Sequence, residues 1–336
     1  MNRIFNDVRT VKRLVSKYIE DVSIKRQARD AGYVYDSIFA KKSKGEILNN
    51  VKTNLSREII SILNKIEEVG YLDENKIPAL TASPTISVVI PHYNQYDYLD
   101  ETLQHLADQS DLPDEVVVVD DISDDSARVK MVVEKHKEKL SIKFLPNPGK
   151  RFYPGRARQY GAENAIGDVI ALHDHDDISH VDRIKFVRKF FNIHREALQL
   201  DVGFVRFREK FFDYVKNFDV NLIENYIIPT EEIKEVMKER FVKQLFTIPN
   251  HNGRIGYYGS DGKNFFGVHD GSTTFRRDVA KYLKQPAPDD YVFTKFESYD
   301  FALMLLLLGQ RSFQLDLPLI YYRLGYRKNR EEFKIY

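Results

Sequence analysis

Between Ile86 and Leu172, short apolar runs alternate with segments of helical spacing, and this alternation constrains the fold more than any other feature of the chain. The runs are Ile86-Ser-Val-Val-Ile90, Glu115-Val-Val-Val-Val119, Ser141 to Leu145 and Val169 to Leu172. Except in Ser141 to Leu145, which Lys143 interrupts, their apolar residues are largely consecutive, as expected of strands covered on both faces. Helical spacing is predicted for Tyr98 to Leu106, through Leu99, Leu103 and Leu106, and for Ser126 to Lys139 and Arg156 to Ala165. Strands alternating with helices imply an α/β fold with a mostly parallel sheet and right-handed crossovers. Ligands of such sheets bind beyond the carboxyl ends of the strands. Those ends carry Pro91-His-Tyr-Asn94, Asp120-Asp121 and Asp174-His-Asp176, which are therefore predicted to share one edge.

The most demanding of these clusters is Asp174-His-Asp-Asp177, directly after the run Val169 to Leu172. Crowded carboxylates repel one another and need a compensating charge. Hard oxygen ligands suit Mg²⁺ or Mn²⁺, which keep positions open for water and substrate phosphates. A metal-bridged diphosphate is one reading. The other is an acidic loop that caps the next helix, with Asp177 or Ser179 as N-cap.

The chain of 336 residues has room for one large α/β domain with additions, or for two domains. A net charge of +1 argues against a dedicated nucleic-acid binder. Cysteine is absent, which excludes disulfides and thiolate metal sites and fits a reducing cytoplasm. The N-terminus lacks the continuous apolar core of a secretory signal. No apolar run approaches the ~20 residues that span a bilayer; the longest, Phe301 to Leu308, reads as a buried helix.

Residues 1–84 differ in character and are read as an N-terminal helical extension with a linker at Pro78 to Pro84. Ile4, Val8, Val11, Leu14, Val15 and Tyr18 follow helical spacing with basic residues between them, and a second helix is predicted from Ser56 to Val69. Together with the basic Lys41-Lys-Ser-Lys44, these helices suit either packing on the main domain or peripheral contact with an anionic membrane face or a protein.

Four motifs in order resemble glycosyltransferase family 2, inverting enzymes with the GT-A fold. Ser87-Val-Val-Ile-Pro-His-Tyr-Asn94 resembles the family's first strand and nucleotide loop. Val116-Val-Val-Val-Asp-Asp-Ile-Ser-Asp-Asp125 resembles its second motif, with Ile122 where a Gly usually stands. Ala157-Arg-Gln-Tyr-Gly161 is similar to the Ala-Arg-Asn-x-Gly helix, and Leu172-His-Asp-His-Asp-Asp177 to the DxD segment. The resemblance implies a Rossmann-like, mixed but mostly parallel GT-A sheet flanked by helices over residues 85–336. Residues 85–182 would be the nucleotide-sugar half and 183–336 the acceptor half.

The resemblance also implies roles. Pro91 and Tyr93 lie beside the base, Tyr93 by stacking; Asp121 accepts from the uracil edge; Arg158 sits near the nucleotide or diphosphate. Asp174 and Asp176 form the DxD pair, with Asp176 the direct ligand of Mn²⁺ or Mg²⁺ and Asp174 facing the ribose or the metal. Physical chemistry agrees: a pyrimidine imide donates to carboxylate, and guanidinium suits phosphate oxygens. His269-Asp-Gly-Ser-Thr-Thr-Phe-Arg-Arg277 is similar to the segment before the catalytic helix, where His269 and Asp270 suit either sugar or metal contact or a structural role. Phe296-Glu-Ser-Tyr-Asp-Phe301 resembles the family's Glu-Asp-x-Asp helix start, but Ser298 stands where the general base is expected. Serine at its ordinary pKa is a poor base, so the role is reassigned to Glu297 first and Asp300 second. In the closing segment Asp316 to Arg323, Arg323 and Arg327 suit either the diphosphate or the surface.

The sequence thus reads as a metal-dependent inverting glycosyltransferase. It would move sugar from a nucleoside-diphosphate donor, UDP by resemblance, to a saccharide, glycolipid or glycoprotein hydroxyl in cell-surface glycan synthesis. The expected location is the cytoplasm or the inner membrane face. Two rivals stand beside it: a nucleotide-sugar-binding module without turnover, motivated by Ser298, and a nucleotidyltransferase. The second would be expected to show a glycine-rich loop after the first strand, which the chain lacks.

Overall fold

The computed structural model describes residues 25–55, 60, 63–64, 66–68, 70–207, 217–228, 238, 270–282 and 311–323. The chain divides into two compact units, Met1–Tyr71 with Lys234–Ile255, and Leu72–Ile233 with Gly256–Tyr336. The described part of the first unit is helical over 25–39 and Lys44–Asn50, around buried Val34, Ile38, Ile47 and Leu63. Ser43 and Glu46 form a reciprocal capping box there. Asp30 accepts from Lys52 N, Thr53 N and Thr53 Oγ1 and so fixes the chain leaving the second helix. Residues 1–24, which carry the predicted basic helix, lie outside the described residues. No helix of the described residues is long and apolar enough to cross a membrane.

The second unit holds a mixed sheet. Its strands are β1 (Ile86–His92), β2 (Glu115–Asp120), β3 (Ile142–Pro146), β4 (Val169–Leu172), β5 (Ile178–Ser179), β6 (Gln199–Phe207), β7 (Ile227–Ile228), β8 (Thr273–Arg276) and β9 (Ser312–Arg323). Among the described residues the order is β3-β2-β1-β4-β8-β6-β9-β5, with β7 on β9. The first four in that order are mutually parallel. β8 is antiparallel to both β4 and β6, and β6 runs parallel to β9 with register shifts on either side of Gly203.

Helices cover both faces, which is why the strands read as unbroken apolar runs. Val88, Ile90, Val116, Val118, Val169 and Ala171 face a core built by α1 (Tyr96–Ala107), α2 (Ser126–His136) and α4 (Arg183–Ile193). Val89, Val117, Val119, Ile170 and Leu172 face the opposite core, against α3 (Tyr153–Asn164). α3 begins three residues before the predicted Arg156 because Pro154 occupies its first turn, where a missing N–H costs nothing. β1 runs through Pro91 to His92; its ladder with β4 ends at Val89–Leu172, so Pro91 interrupts no bond on that side. β6 and β9 begin at Gln199 and Ser312, where each is paired by a neighbour distant in sequence. The segment Pro78 to Pro84 is pinned to the end of α4: Leu80 N donates to Arg195 O, and Arg188 Nη1 to Pro84 O.

The small residues of α3 set its height above the sheet. A Cβ added at Gly161 would lie 2.4 Å from Val89 Cγ1 and 3.0 Å from Val119 Cγ2. Ala157, one turn earlier, is fully buried on the same face. We expect Gly161→Ala to cost about 1–3 kcal/mol through overpacking, read from denaturant unfolding; an unchanged midpoint would contradict the close approach.

Candidate active site

The carboxyl ends of β1, β2 and β4 are neighbours, and the three polar clusters meet there. Asp121 N donates to His92 O at 2.8 Å, and His175 Nδ1 lies 3.0 Å from Pro91 O. His173 N donates to Val89 O, which ties the acidic loop to β1. Asn94 receives Asp124 N at its Oδ1 and donates its Nδ2 to the Asp124 carboxylate, joining the loops after β1 and β2.

Asp121 is buried and serves as a remote cap for α3. Phe152 N and Tyr153 N donate to its two carboxylate oxygens at 2.6 and 2.7 Å, and Asn147 Nδ2 adds a third bond at 2.8 Å. A carboxylate offers about four acceptor positions, so roughly one remains for a ligand. Asp120, beside it, accepts from Ser123 N and Ser126 Oγ at the start of α2. Ile122 between these loops sits at φ 62°, a left-handed conformation that a β-branched residue tolerates poorly. Asn94 and Tyr153 also have positive φ, so the strained backbone gathers at this edge.

α3 carries Arg158 to the acidic loop, where Arg158 Nη2 donates to Asp174 Oδ1 at 2.5 Å. The Asp176 carboxylate has no hydrogen bond or ion pair with the described residues, while its carbonyl accepts from Arg323 Nε at 2.9 Å. Asp177 is fully buried and accepts from Arg323 N. Burial, then the charges of Asp176 and Asp174, push its pKa well above the usual carboxylate value. Arg323 itself is committed to the protein: Nη2 donates to Glu101 at 2.5 Å and the guanidinium lies 4.6 Å from the centre of the Tyr98 ring.

Tyr93 does not lie open. The Arg151 guanidinium sits 3.6 Å from the centre of its ring and 4.7 Å from that of Tyr153. Pro91 is buried, with its carbonyl directed to His175. Glu297, Ser298, Asp300, His269 and Arg327 lie outside the described residues. Of the segment 269–277, Asp270–Ser272 forms a short turn and Thr273–Arg276 is β8, buried against β4.

Sequence reasoning does not single out Arg183. It is completely buried at the start of α4, and its Nη2 donates to Leu172 O at 2.7 Å and Gly271 O at 3.0 Å. Burial lowers its pKa to about 9, opposed by Asp177 and Asp174, so it remains charged at neutral pH. A signal exists nonetheless: a cation in the first turn opposes the helix dipole and needs another reason to be there. Arg151 has its own signal, an arginine next to Phe152 and Tyr153 in a loop rich in Pro and Gly.

No three His, Asp or Glu side chains among the described residues converge to hold a metal by themselves. Asp176, with its carboxylate uncommitted, and Asp174 nevertheless fit a divalent cation that takes one or two carboxylates and completes its shell from water and phosphate.

Residues 87–284 match the family model described as glycosyl transferase family 2, and the chain belongs to that family. The chain is 34% identical over 117 residues to the poly(ribitol-phosphate) beta-N-acetylglucosaminyltransferase TarS of Staphylococcus aureus, covering 34% of this chain and 20% of that protein. It is 34% identical over 104 residues to the putative teichuronic acid biosynthesis glycosyltransferase TuaG of Bacillus subtilis, covering 30% and 40%. A validoxylamine A glucosyltransferase of Streptomyces hygroscopicus subsp. limoneus is 40% identical over 93 residues, covering 27% and 20%. The matches span between a fifth and two-fifths of these relatives. The crystal structure of S. aureus TarS 1-349 in complex with UDP-GlcNAc aligns with TM-score 0.51 and 20% identity, over 75% of this chain and 61% of that one. That likeness establishes a shared GT-A fold.

His92 is buried beneath this edge, and neither ring nitrogen has a hydrogen-bond partner among the described residues. Burial, with the neighbouring His175 adding to it, lowers its pKa from 6.5 to about 2. The unfolded chain therefore binds the proton more readily, and stability is full above 6.5 and lost as pH falls through the acid range. We expect the wild type to lose about 1.4 kcal/mol more per pH unit than His92→Phe between roughly pH 6 and 4, measured by urea unfolding. Parallel pH dependences would contradict a buried neutral imidazole.

Proposed function

We propose that this chain is a metal-dependent inverting glycosyltransferase that takes its sugar from a UDP-linked donor and transfers it to a hydroxyl of a cell-surface glycan. The observation that carries the reading is the convergence of Tyr93, Asp121, Arg158, Asp174 and Asp176 at one sheet edge in a chain of this family. The TarS structure bound to UDP-GlcNAc supports a uridine nucleotide, and the relatives TarS and TuaG support a cell-wall acceptor.

In this reading Tyr93 stacks on the base, and Asp121 accepts a hydrogen bond from its imide N–H at the remaining lone pair. Asp176, with Asp174, holds Mn²⁺ or Mg²⁺. The bound cation would neutralise charge on the departing diphosphate. Arg158 exchanges part of its contact with Asp174 for a phosphate oxygen as negative charge develops there. Arg183, behind the acids and fixed by main-chain carbonyls, keeps their charge from splaying the loop. The acceptor hydroxyl gives its proton to Glu297 or Asp300 and attacks the anomeric carbon in a single displacement, which inverts the configuration.

We expect Asp176→Ala to abolish metal-dependent sugar transfer or donor hydrolysis while leaving circular dichroism and melting unchanged. A retained rate would remove Asp176 from the metal site. Glu297→Gln is expected to lower kcat at least ~100-fold, as loss of a general base does, and Ser298→Ala only a few-fold. The reverse order would assign the base elsewhere. Binding of UDP-sugars without turnover across donors and acceptors would favour the rival reading of a binding module.

A further inference from the structure

The loop between β3 and α3 places a cation where the proposed function places the base. Arg151 stacks its guanidinium on Tyr93 at 3.6 Å from the ring centre, and Tyr153 lies 4.7 Å away. Arg151 Nε is 3.9 Å from Asp121 Oδ2, and it is buried with no hydrogen-bond partner among the described residues. A guanidinium is flat, of about the thickness of a pyrimidine, and carries N–H donors along its edge. It therefore repeats the two features by which uracil would be held: a face against Tyr93 and a donor toward Asp121. The buried, unbonded Nε shows an imperfect fit, as expected of a stand-in that a better ligand replaces.

From this geometry we infer that Arg151 is an internal occupant of the base pocket, and that a nucleoside diphosphate must displace it to bind. The inference rests on the assignment of Tyr93 and Asp121 to the base. Displacement breaks no regular structure, since Arg151 lies in the loop between β3 and α3 and its side chain is one-third exposed. Two other roles fit an arginine near a nucleotide site. It would bind phosphate directly, or it would brace the loop and leave nucleotide affinity untouched. Each makes a different prediction.

Calorimetric titration of the full chain with UDP in Mn²⁺ tests this, using wild type, Arg151→Ala, Arg151→Met, Tyr93→Ala and the double variant Tyr93→Ala/Arg151→Ala. Arg151→Met keeps the aliphatic stem, so a gain shared by both Arg151 substitutions is not an effect of loop collapse. The stack on Tyr93 is worth roughly a 3- to 10-fold change in equilibrium. We expect both Arg151 substitutions to tighten UDP binding by about that factor. In the Tyr93→Ala background Arg151→Ala should give no gain, and inorganic pyrophosphate, which has no base, should bind wild type and Arg151→Ala alike. Weaker UDP and pyrophosphate binding on loss of Arg151 would make it a phosphate ligand and overturn the inference. Unchanged UDP affinity would overturn it as well. If Tyr93→Ala binds UDP as wild type does, the base assignment itself fails, a result separate from the other two.

Discussion

The site depends on a balance of charge at the rim of the sheet. Asp174, Asp176 and Asp177 leave β4 within a few residues, and uncompensated they would drive the loop apart. Three arginines from three different elements answer them. Arg158 reaches Asp174 from α3, Arg183 lies buried behind the loop, and Arg323 holds its backbone from β9. The compensation is uneven. Asp174 is paired and Asp177 is pushed toward its neutral form, while the Asp176 carboxylate is left without a partner among the described residues. That uncommitted carboxylate is the one of the three that suits the cation of the proposed function.

The position of Arg158 follows from packing. Gly161 and Ala157 let α3 settle onto Val89 and Val119, and Asp121 receives the first amides of the same helix. One carboxylate thus fixes the helix start, and one glycine fixes its height. Together they bring the Arg158 guanidinium to Asp174.

Much of this arrangement is legible in the amino-acid sequence. Strands buried on both faces have no alternation to confuse their boundaries, so the apolar runs mark β1, β2 and β4 to within a residue or two. The order of the motifs places the polar clusters on one edge. The start of α3 is harder to see, because Pro154 in a loop rich in Pro and Gly reads as a breaker, whereas in a first turn it is a helix starter. The service of Asp121 to α3 is not legible, since its partners Phe152 and Tyr153 lie some thirty positions away. Arg183 and Arg151 escape a linear reading for the same reason. Their partners, Leu172, Gly271 and Tyr93, are neighbours only in the fold.

The central claim is that the edge formed by Asp121, Arg158, Asp174 and Asp176 receives a nucleoside diphosphate and a divalent cation together. A crystal structure of the chain grown with a UDP-sugar and Mn²⁺, with data collected at the manganese absorption edge, tests it directly. The account predicts one anomalous peak coordinated by the Asp176 carboxylate and diphosphate oxygens, with the base on Tyr93. A nucleotide bound elsewhere, or manganese remote from Asp174 and Asp176, would contradict it.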